Sequence, residues 1–538
     1  MKSHALNLKC EHLPRPLGVG TPHPRLSWEI ESDGKDCVQS AYQIQVWKGA
    51  GKDGQPLWDS GKIHSSRQHE ITYSGAPLQI LSRYTWHVQV WLDDGSVSEW
   101  SEPAQFETGY FSLRDWKADW VVYSYWGNKE LYGQQSMNFL RKDFEVRDLA
   151  KLKRARAFVA ATAGAWGNDT LRMNLYEFHV NGAKVGSDLL NPGQLTNTKK
   201  RALYRAFDLT GLLKEGANTV GLIFATHKAS VEVMMEYQDG HVEFVRSAAG
   251  WKLTPFPGPF LQLWSHDVWE FGGKNEIYDA RKEHTGWDLP GFDDQGWQSP
   301  RCGAAAPWSL APQMQSVEVC DVIRPQNISK MSENCWVVDF GRNMNGHVGI
   351  KVSGPQGTQV TMRFSETVNP DGSIHPSSTW SWQGNISTQK NIYIKRSDGI
   401  EEYEPHFANF GFRFVEITGW PGELHADDLH ANAVCSTVGR GSSFDCSDAR
   451  VMELQKLCER TFLSNLMSVP TDCPTRERLG WPADASTVSS AECTMFDMRL
   501  SSSDTISGTP SFSWTYPRIS PSSAAIRSWL HCSKGRPR

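Results

Sequence analysis

Tyr84-Thr85-Trp86-His87-Val88-Gln89-Val90-Trp91 is the stretch from which the fold can be read. Large apolar residues alternate with polar ones, and a period of two sends successive side chains to opposite faces of a strand. Asp93-Asp94-Gly95 follows as a turn, and Tyr42-Gln43-Ile44-Gln45-Val46-Trp47 repeats the alternation upstream. One face of each strand then lies in a core and the other toward water, the pattern of an antiparallel sandwich. This predicts a β-sandwich over residues 1–110, with Trp28, Trp47, Trp86 and Trp91 as its core.

The chain has 538 residues, enough for several domains, and 39% hydrophobic with 21% charged residues is a globular balance. Its 23 Trp match its 23 Phe in number. Such a content suits sandwich cores and equally suits sugar-stacking platforms, and composition does not separate them. A net charge of -5 gives no general attraction to nucleic acid or to anionic membranes. No apolar run approaches the roughly 20 residues that span a bilayer, and the first ten residues lack the apolar core of a secretory signal. The 11 Cys form no C-x-x-C pair and have no His at zinc spacing. These features predict reduced thiols and a cytoplasmic location. No nucleotide loop, metal cluster or Ser/His/Asp order is legible, so no cofactor is expected.

From about 116 to 310 a second β-rich region follows. In Leu175-Tyr176-Glu177-Phe178-His179-Val180-Asn181-Gly182-Ala183-Lys184-Val185-Gly186, Asn-Gly between alternating runs signals a two-residue hairpin. Tyr204 to Val220 reads as strand, short turn-helix, turn and strand. A third region, 317–427, carries Val337-Val338-Asp339-Phe340-Gly341-Arg342-Asn343-Met344-Asn345-Gly346 and Phe407-Ala408-Asn409-Phe410-Gly411-Phe412-Arg413-Phe414-Val415-Glu416. This is again Gly-punctuated alternation, with Glu366 and Glu416 read as strand-edge charges.

After Ser447 the period changes. Apolar residues at 451, 454, 458, 462 and 466 predict a helix capped by Ser447 or Asp448 and ended by Pro470. A second helix is predicted over 483–498, with Ala485, Val488, Ala491, Met495 and Met498 on one side. These two helices place a helical segment at 440–500, and residues 501–538 form a Ser-rich, irregular tail in which Pro510, Pro517 and Pro521 forbid a continuing helix.

Between the helices runs Val469-Pro470-Thr471-Asp472-Cys473-Pro474-Thr475-Arg476-Glu477-Arg478-Leu479-Gly480-Trp481-Pro482-Ala483-Asp484. Neighbouring carboxylates beside an indole suit a group whose pKa is raised until it can protonate a leaving group. A solvated, ion-paired interhelical loop fits the same residue types. The string resembles the signature of glycoside hydrolase family 78, the inverting α-L-rhamnosidases. The β-rich regions before it resemble, in order, a fibronectin-III-like module, a jelly-roll accessory domain and the sandwich that precedes the catalytic barrel in bacterial α-L-rhamnosidases.

That resemblance implies a multidomain, mainly β fold: successive β-sandwich and jelly-roll domains followed by the beginning of an (α/α)6 barrel. It implies Glu477 as general acid, Asp472 and Asp484 as sugar-hydroxyl ligands, and Arg476 and Trp481 lining the pocket, with Trp481 beneath the sugar. Many members carry an extra residue between the Arg and the Glu that is absent here. The implied partner is a rhamnose-containing glycoside or polysaccharide. The family's base is a Glu far downstream, and no Glu follows Glu492 in these 538 residues. The expectation is a C-terminally truncated rhamnosidase with negligible activity as given, against the alternative of a non-catalytic carbohydrate-binding protein.

Overall fold

The computed structural model describes residues 3–34, 36–122, 137–162, 175–191, 201–224, 228–254, 258–262, 275–303, 309–375, 389–476, 478 and 480–499. The tail assigned to 501–538 lies outside them. The fold is mainly β, as the alternation predicts.

The opening stretch forms the strand Arg83–Leu92, paired antiparallel with Gln39–Lys48 so that Ile44 faces Val88 and Val46 faces Trp86. Tyr84, Trp86, Val88 and Val90 point into a core shared with Trp28, Ile44, Tyr73 and Phe106. A second sheet of Ser3–Cys10, Arg25–Ser32 and Ile71–Thr72 closes the other side. The tryptophan set divides by strand parity. Trp28 and Trp86 are in the core, Trp28 donating to the Gln39 amide at 3.0 Å. Trp47 lies on the outer face, edge-on to His87, whose ring stacks on Trp100 at 4.0 Å. Trp91 lies under the Lys62 ammonium, 4.6 Å from its ring. A sheet has two faces, and here both are aromatic.

Two further sheets enclose the next core. One contains Asn138–Val146, Tyr176–Val180 and Gly216–Phe224; the other contains Leu152–Thr162, Ala202–Asp208 and Lys228–Tyr237. Leu140, Val159, Phe178, Phe207, Leu222 and Val233 meet between them. The Asn-Gly hairpin forms with both turn residues at positive φ, 51° and 88°, the geometry that a twisted two-residue hairpin demands. Where a short turn-helix is expected after Asp208, the chain makes a single turn. Leu212 N–H donates to the Leu209 carbonyl, and the Asn218 side chain ties down the Lys214 backbone at 2.8 Å. Asn218 satisfies the polar groups that further helix would have covered.

The first sandwich is welded to the second through charge. Glu107 is buried and accepts from Arg83, Arg154 and Arg156, all at 2.7–2.8 Å. Burial opposes ionisation of Glu107, yet the Arg156 hydrogen bonds and the arginine charges hold its carboxyl down at about 2. Beside it the Tyr204 hydroxyl donates to the Gly18 carbonyl at 2.9 Å. A Cβ on Gly109 would lie 2.2 Å from that hydroxyl, so only glycine permits this approach.

The last β unit is a ten-stranded sheet. Its spine is the strand Cys335–Ser353, flanked by Phe410–Thr418 and Leu429–Ser436. The spine's Gly-containing stretch is a bulge: the register shifts between Asp339 and Met344, Gly341 takes φ 81°, and Arg413 holds Asp339 with two bonds of 2.7 and 2.8 Å. Phe364, Phe410, Phe412, Val415 and Ile417 fill the core. Glu416 sits on this sheet and accepts from Arg363 at 2.9 Å. The strands Phe260–Gln262 and Glu276–Asp279 join the sheet through Lys390–Ile394. Val317–Ile323 is its terminal strand at the opposite edge.

Two helices follow. Ala449–Ser464 (α1) is capped by Asp448, which accepts from the Arg450 N–H at 2.9 Å. Pro482–Met495 (α2) starts with proline in its first turn. On α2 the buried positions are Ala485, Ser489 and Glu492, continuing to Phe496; Ala491, assigned to the inner side, is exposed. The inner stripe is turned by about one residue because Ser489 and Glu492, both polar, face inward. No helix among the described residues is long and apolar enough to cross a membrane.

Candidate active site

The loop between the helices begins where α1 ends. Leu466–Met467 and Val469–Pro470 form a minimal ladder around Ser468, which adopts φ 68° and donates its N–H to the Ser436 hydroxyl at 2.6 Å. Thr471 then returns to the Asn465 carbonyl through both its N–H and its hydroxyl, at 2.7 and 3.0 Å. The chain is thus pinned before Asp472.

Behind the loop lies the end of the ten-stranded sheet. Pro474 and Thr475 press on Gly411, where an added Cβ would lie 2.5 Å from the Thr475 methyl. Arg478, 2% exposed, carries the attachment. Its guanidinium donates to the Asn409 carbonyl at 2.5 Å and the Gln389 side-chain oxygen at 3.0 Å, and reaches back to the Thr475 carbonyl at 3.2 Å. Gln389 also bonds both backbone groups of Gly411, at 2.9 and 3.2 Å. Arg478 adopts φ 54°, uncommon for a side chain of its size, and this network holds it there.

With its back fixed, the loop leaves part of its described residues at the surface. Asp472 is half-buried, Arg476 is exposed, and Trp481 retains 36% of its surface. Asp484 is exposed in the first turn of α2, where the helix dipole favours a carboxylate. Glu477 lies outside the described residues. The structure therefore brings Asp472, Arg476, Trp481 and Asp484 onto one loop and the helix start that follows it. Such an arrangement can offer hydrogen-bonding carboxylates, a cation and an indole face to a polar ring.

Sequence reasoning passed over two residues. Arg478 reads as one more charge in a charged loop; only the sheet beneath it reveals the anchor. Glu492 reads as the last Glu before the tail, yet it is 4% exposed with one carboxylate oxygen unpartnered, and burial pushes its pKa up to about 7. An acidic residue on the inner side of a helix gave no periodic signal.

Comparison with known families follows the same order of parts. Residues 5–112 match the Rha78A-like N-terminal immunoglobulin domain, and 152–226 with 225–320 match the α-L-rhamnosidase N-terminal domain. Residues 329–435 match the bacterial α-L-rhamnosidase concanavalin-like domain, and 439–521, which contain the loop, match the bacterial α-L-rhamnosidase six-hairpin glycosidase domain. The chain belongs to the α-L-rhamnosidases of glycoside hydrolase family 78.

Among solved structures of this family, the α-L-rhamnosidase from Dictyoglumus thermophilum is 32% identical with a TM-score of 0.81, over 92% of this chain and 56% of that one. Curated α-L-rhamnosidases from Streptomyces avermitilis and Alteromonas sp. are 27% and 29% identical over 88% of this chain. The family 78 chain described here spans 61% and 52% of their lengths.

Proposed function

We propose that this chain carries the acid-bearing part of an α-L-rhamnosidase site, which releases terminal α-L-rhamnose from a glycoside or polysaccharide with inversion. The observation that supports it is the loop around Arg478, fixed to the sheet by that residue while Asp472 stays half-buried and Arg476 and Trp481 exposed, within the segment that matches the six-hairpin glycosidase domain. In this reading Glu477 protonates the leaving oxygen. Asp472 and Asp484 accept hydrogen bonds from sugar hydroxyls, Arg476 lines the pocket and Trp481 lies beneath the apolar face of the ring. Inversion requires a second carboxylate roughly 6.5–9.5 Å from the acid, leaving room for the attacking water. No Glu follows Glu492, so these 538 residues alone are proposed to turn over negligibly. Ten cysteines described as free thiols support a reducing, cytoplasmic setting, and the charge of -5 supports neither nucleic acid nor membrane as partner.

The test joins this chain after residue 499 to the remainder of the barrel from a matching relative. It follows p-nitrophenyl α-L-rhamnoside hydrolysis and the anomeric form of the sugar first released. The proposal expects the β-anomer first. Glu477→Gln should lower turnover by about 10²–10⁴-fold, least on good leaving groups that need little protonation. Asp472→Asn and Asp484→Asn should instead weaken binding alike for every leaving group, by about 1.5–3 kcal/mol for each charged hydrogen bond. Unchanged turnover of a poor leaving group by Glu477→Gln would show that the acid is another residue, with Asp484 the next to test.

A further inference from the structure

The terminal strand Val317–Ile323 pairs with Leu429–Ser436 in register at Glu318–Cys435 and Val319–Val434, then slips, resuming at Asp321–Ala433. Cys320 is the extra residue of that bulge. Its side chain is exposed, and its sulfur lies 3.3 Å from the Ala433 carbonyl, to which the thiol donates. Cys435, on the facing strand, is only 5% exposed. It pairs with Glu318, two residues before Cys320, so the two cysteines are diagonal neighbours across the strand pair. The two thiols thus form an outer and an inner member of one pair, set across the last two strands of the sheet.

We infer that Cys320 and Cys435 are a thiol–disulfide pair, closed by exchange with low-molecular-weight disulfides. Cys320 is the sulfur a reagent can reach. Its thiolate attacks one sulfur of the reagent, breaking that S–S bond, forming a mixed disulfide and releasing one thiolate. Cys435 then gives up its proton to solvent and attacks the Cys320 sulfur, forming the internal disulfide and expelling the second thiolate. Two protein thiols are oxidised and one small disulfide is reduced to two thiols, so electrons and atoms balance. The outer thiol suits the first attack, since the neighbouring Cys435 thiol holds Cys320 below its ordinary range; Cys320 and burial push Cys435 up, which makes its attack on the mixed disulfide the slower step. Approach of the sulfurs to bonding distance asks for movement of a strand paired on one side only, at a bulge, where the ladder is already interrupted. The consequence reaches the candidate site. Leu429–Ser436 ends at Ser436, whose hydroxyl holds Ser468 at the entry of the loop, and Thr437 beside it bonds Ser316, which leads into the other strand. Closing the pair would fasten the strand that the loop leans on.

The test treats the reduced, folded chain with excess oxidised glutathione, blocks remaining thiols with N-ethylmaleimide after unfolding, and maps non-reduced peptides. Cleavage after Glu318 separates Cys302 from Cys320. The expected result is a peptide joining Cys320 to Cys435, lighter by two hydrogen atoms than the sum of its parts, with Cys435 lost from the labelled set. Cys320→Ser should leave Cys435 fully labelled, and Cys435→Ser should leave Cys320 as a persistent glutathione adduct. A persistent adduct on Cys320 of the unaltered chain with Cys435 still labelled would overturn the inference, as would linkage of Cys435 to any other cysteine. The unaltered chain alone decides between these results if a variant fails to fold.

Discussion

The strand Phe410–Thr418 and helix α1 lie in adjacent parts of the chain, and both show the apolar spacing their secondary structure calls for. They end differently. Phe410, Phe412, Val415 and Ile417 are wholly buried, whereas α1 contains no buried residue and leaves Val451, Leu454 and Leu457 41%, 58% and 54% exposed. The periodicity of a segment tells which side chains share a face. Whether that face is covered depends on a second surface, and among the described residues α1 has little of one. Its stability rests on its Asp448 cap and on the few contacts near Phe462, Leu463 and Leu466.

The comparison is broken or sharpened by substitution. Phe412→Ala should cost about 3–5 kcal/mol, the loss of a large buried side chain plus the cavity it leaves. Denaturant titration of the transition assigned to the ten-stranded sheet measures it. Arg156→Ala should cost roughly 3–5 kcal/mol by leaving Glu107 buried with less of its charge compensated. It should also make the first two sandwiches unfold apart rather than together, which calorimetry resolves. A loss below about 1 kcal/mol would mean that Arg83 and Arg154 suffice.

His406 gives a pH-dependent version of the same contrast between buried charge and bare surface. Its Nδ1 donates to the Glu177 carboxylate at 2.9 Å across the contact between the second sandwich and the ten-stranded sheet. Burial opposes its protonation, but the Glu177 carboxylate raises its pKa to about 9. A folded pKa above the unfolded value of about 6.5 adds stability that is complete below 6.5 and is lost as pH rises through 9, by up to about 3 kcal/mol. His406→Gln should flatten that alkaline decline in thermal melts between pH 6.5 and 9.5. Leu454→Ala should change stability by no more than about 0.5 kcal/mol. A cost of several kcal/mol there would show that the face of α1 is covered in solution and would erase the contrast.

Much of this architecture is legible in the residues. Alternation located the strands, Asn181-Gly182 the hairpin, and Asp448 the start of α1, because each is decided by neighbours in sequence. The misplacements have one physical origin. Trp47 is buried as expected, but against His87 on the outer face, and Trp91 lies half-buried on that same face, because one face of a strand takes residues of one parity only. The buried cluster of Glu107, Arg154 and Arg156, for which the sequence offers no signal, forms because its members meet from distant segments. For the candidate site, the residue types of 472–484 give the chemistry and the family resemblance gives the roles. That Arg478 faces the sheet while Arg476 faces out follows from Asn409 and Gln389, which no spacing within the loop could reveal.

The seating of the loop on the sheet bears on how such proteins can be recombined. Arg478, Gln389, the Asn409 carbonyl and the bare α-carbon of Gly411 form a lock whose halves belong to different modules. A helical module transplanted onto a foreign sandwich would bring the key without the keyway. Swaps between relatives should therefore cut upstream of Gln389, so that lock and loop travel as one inherited unit.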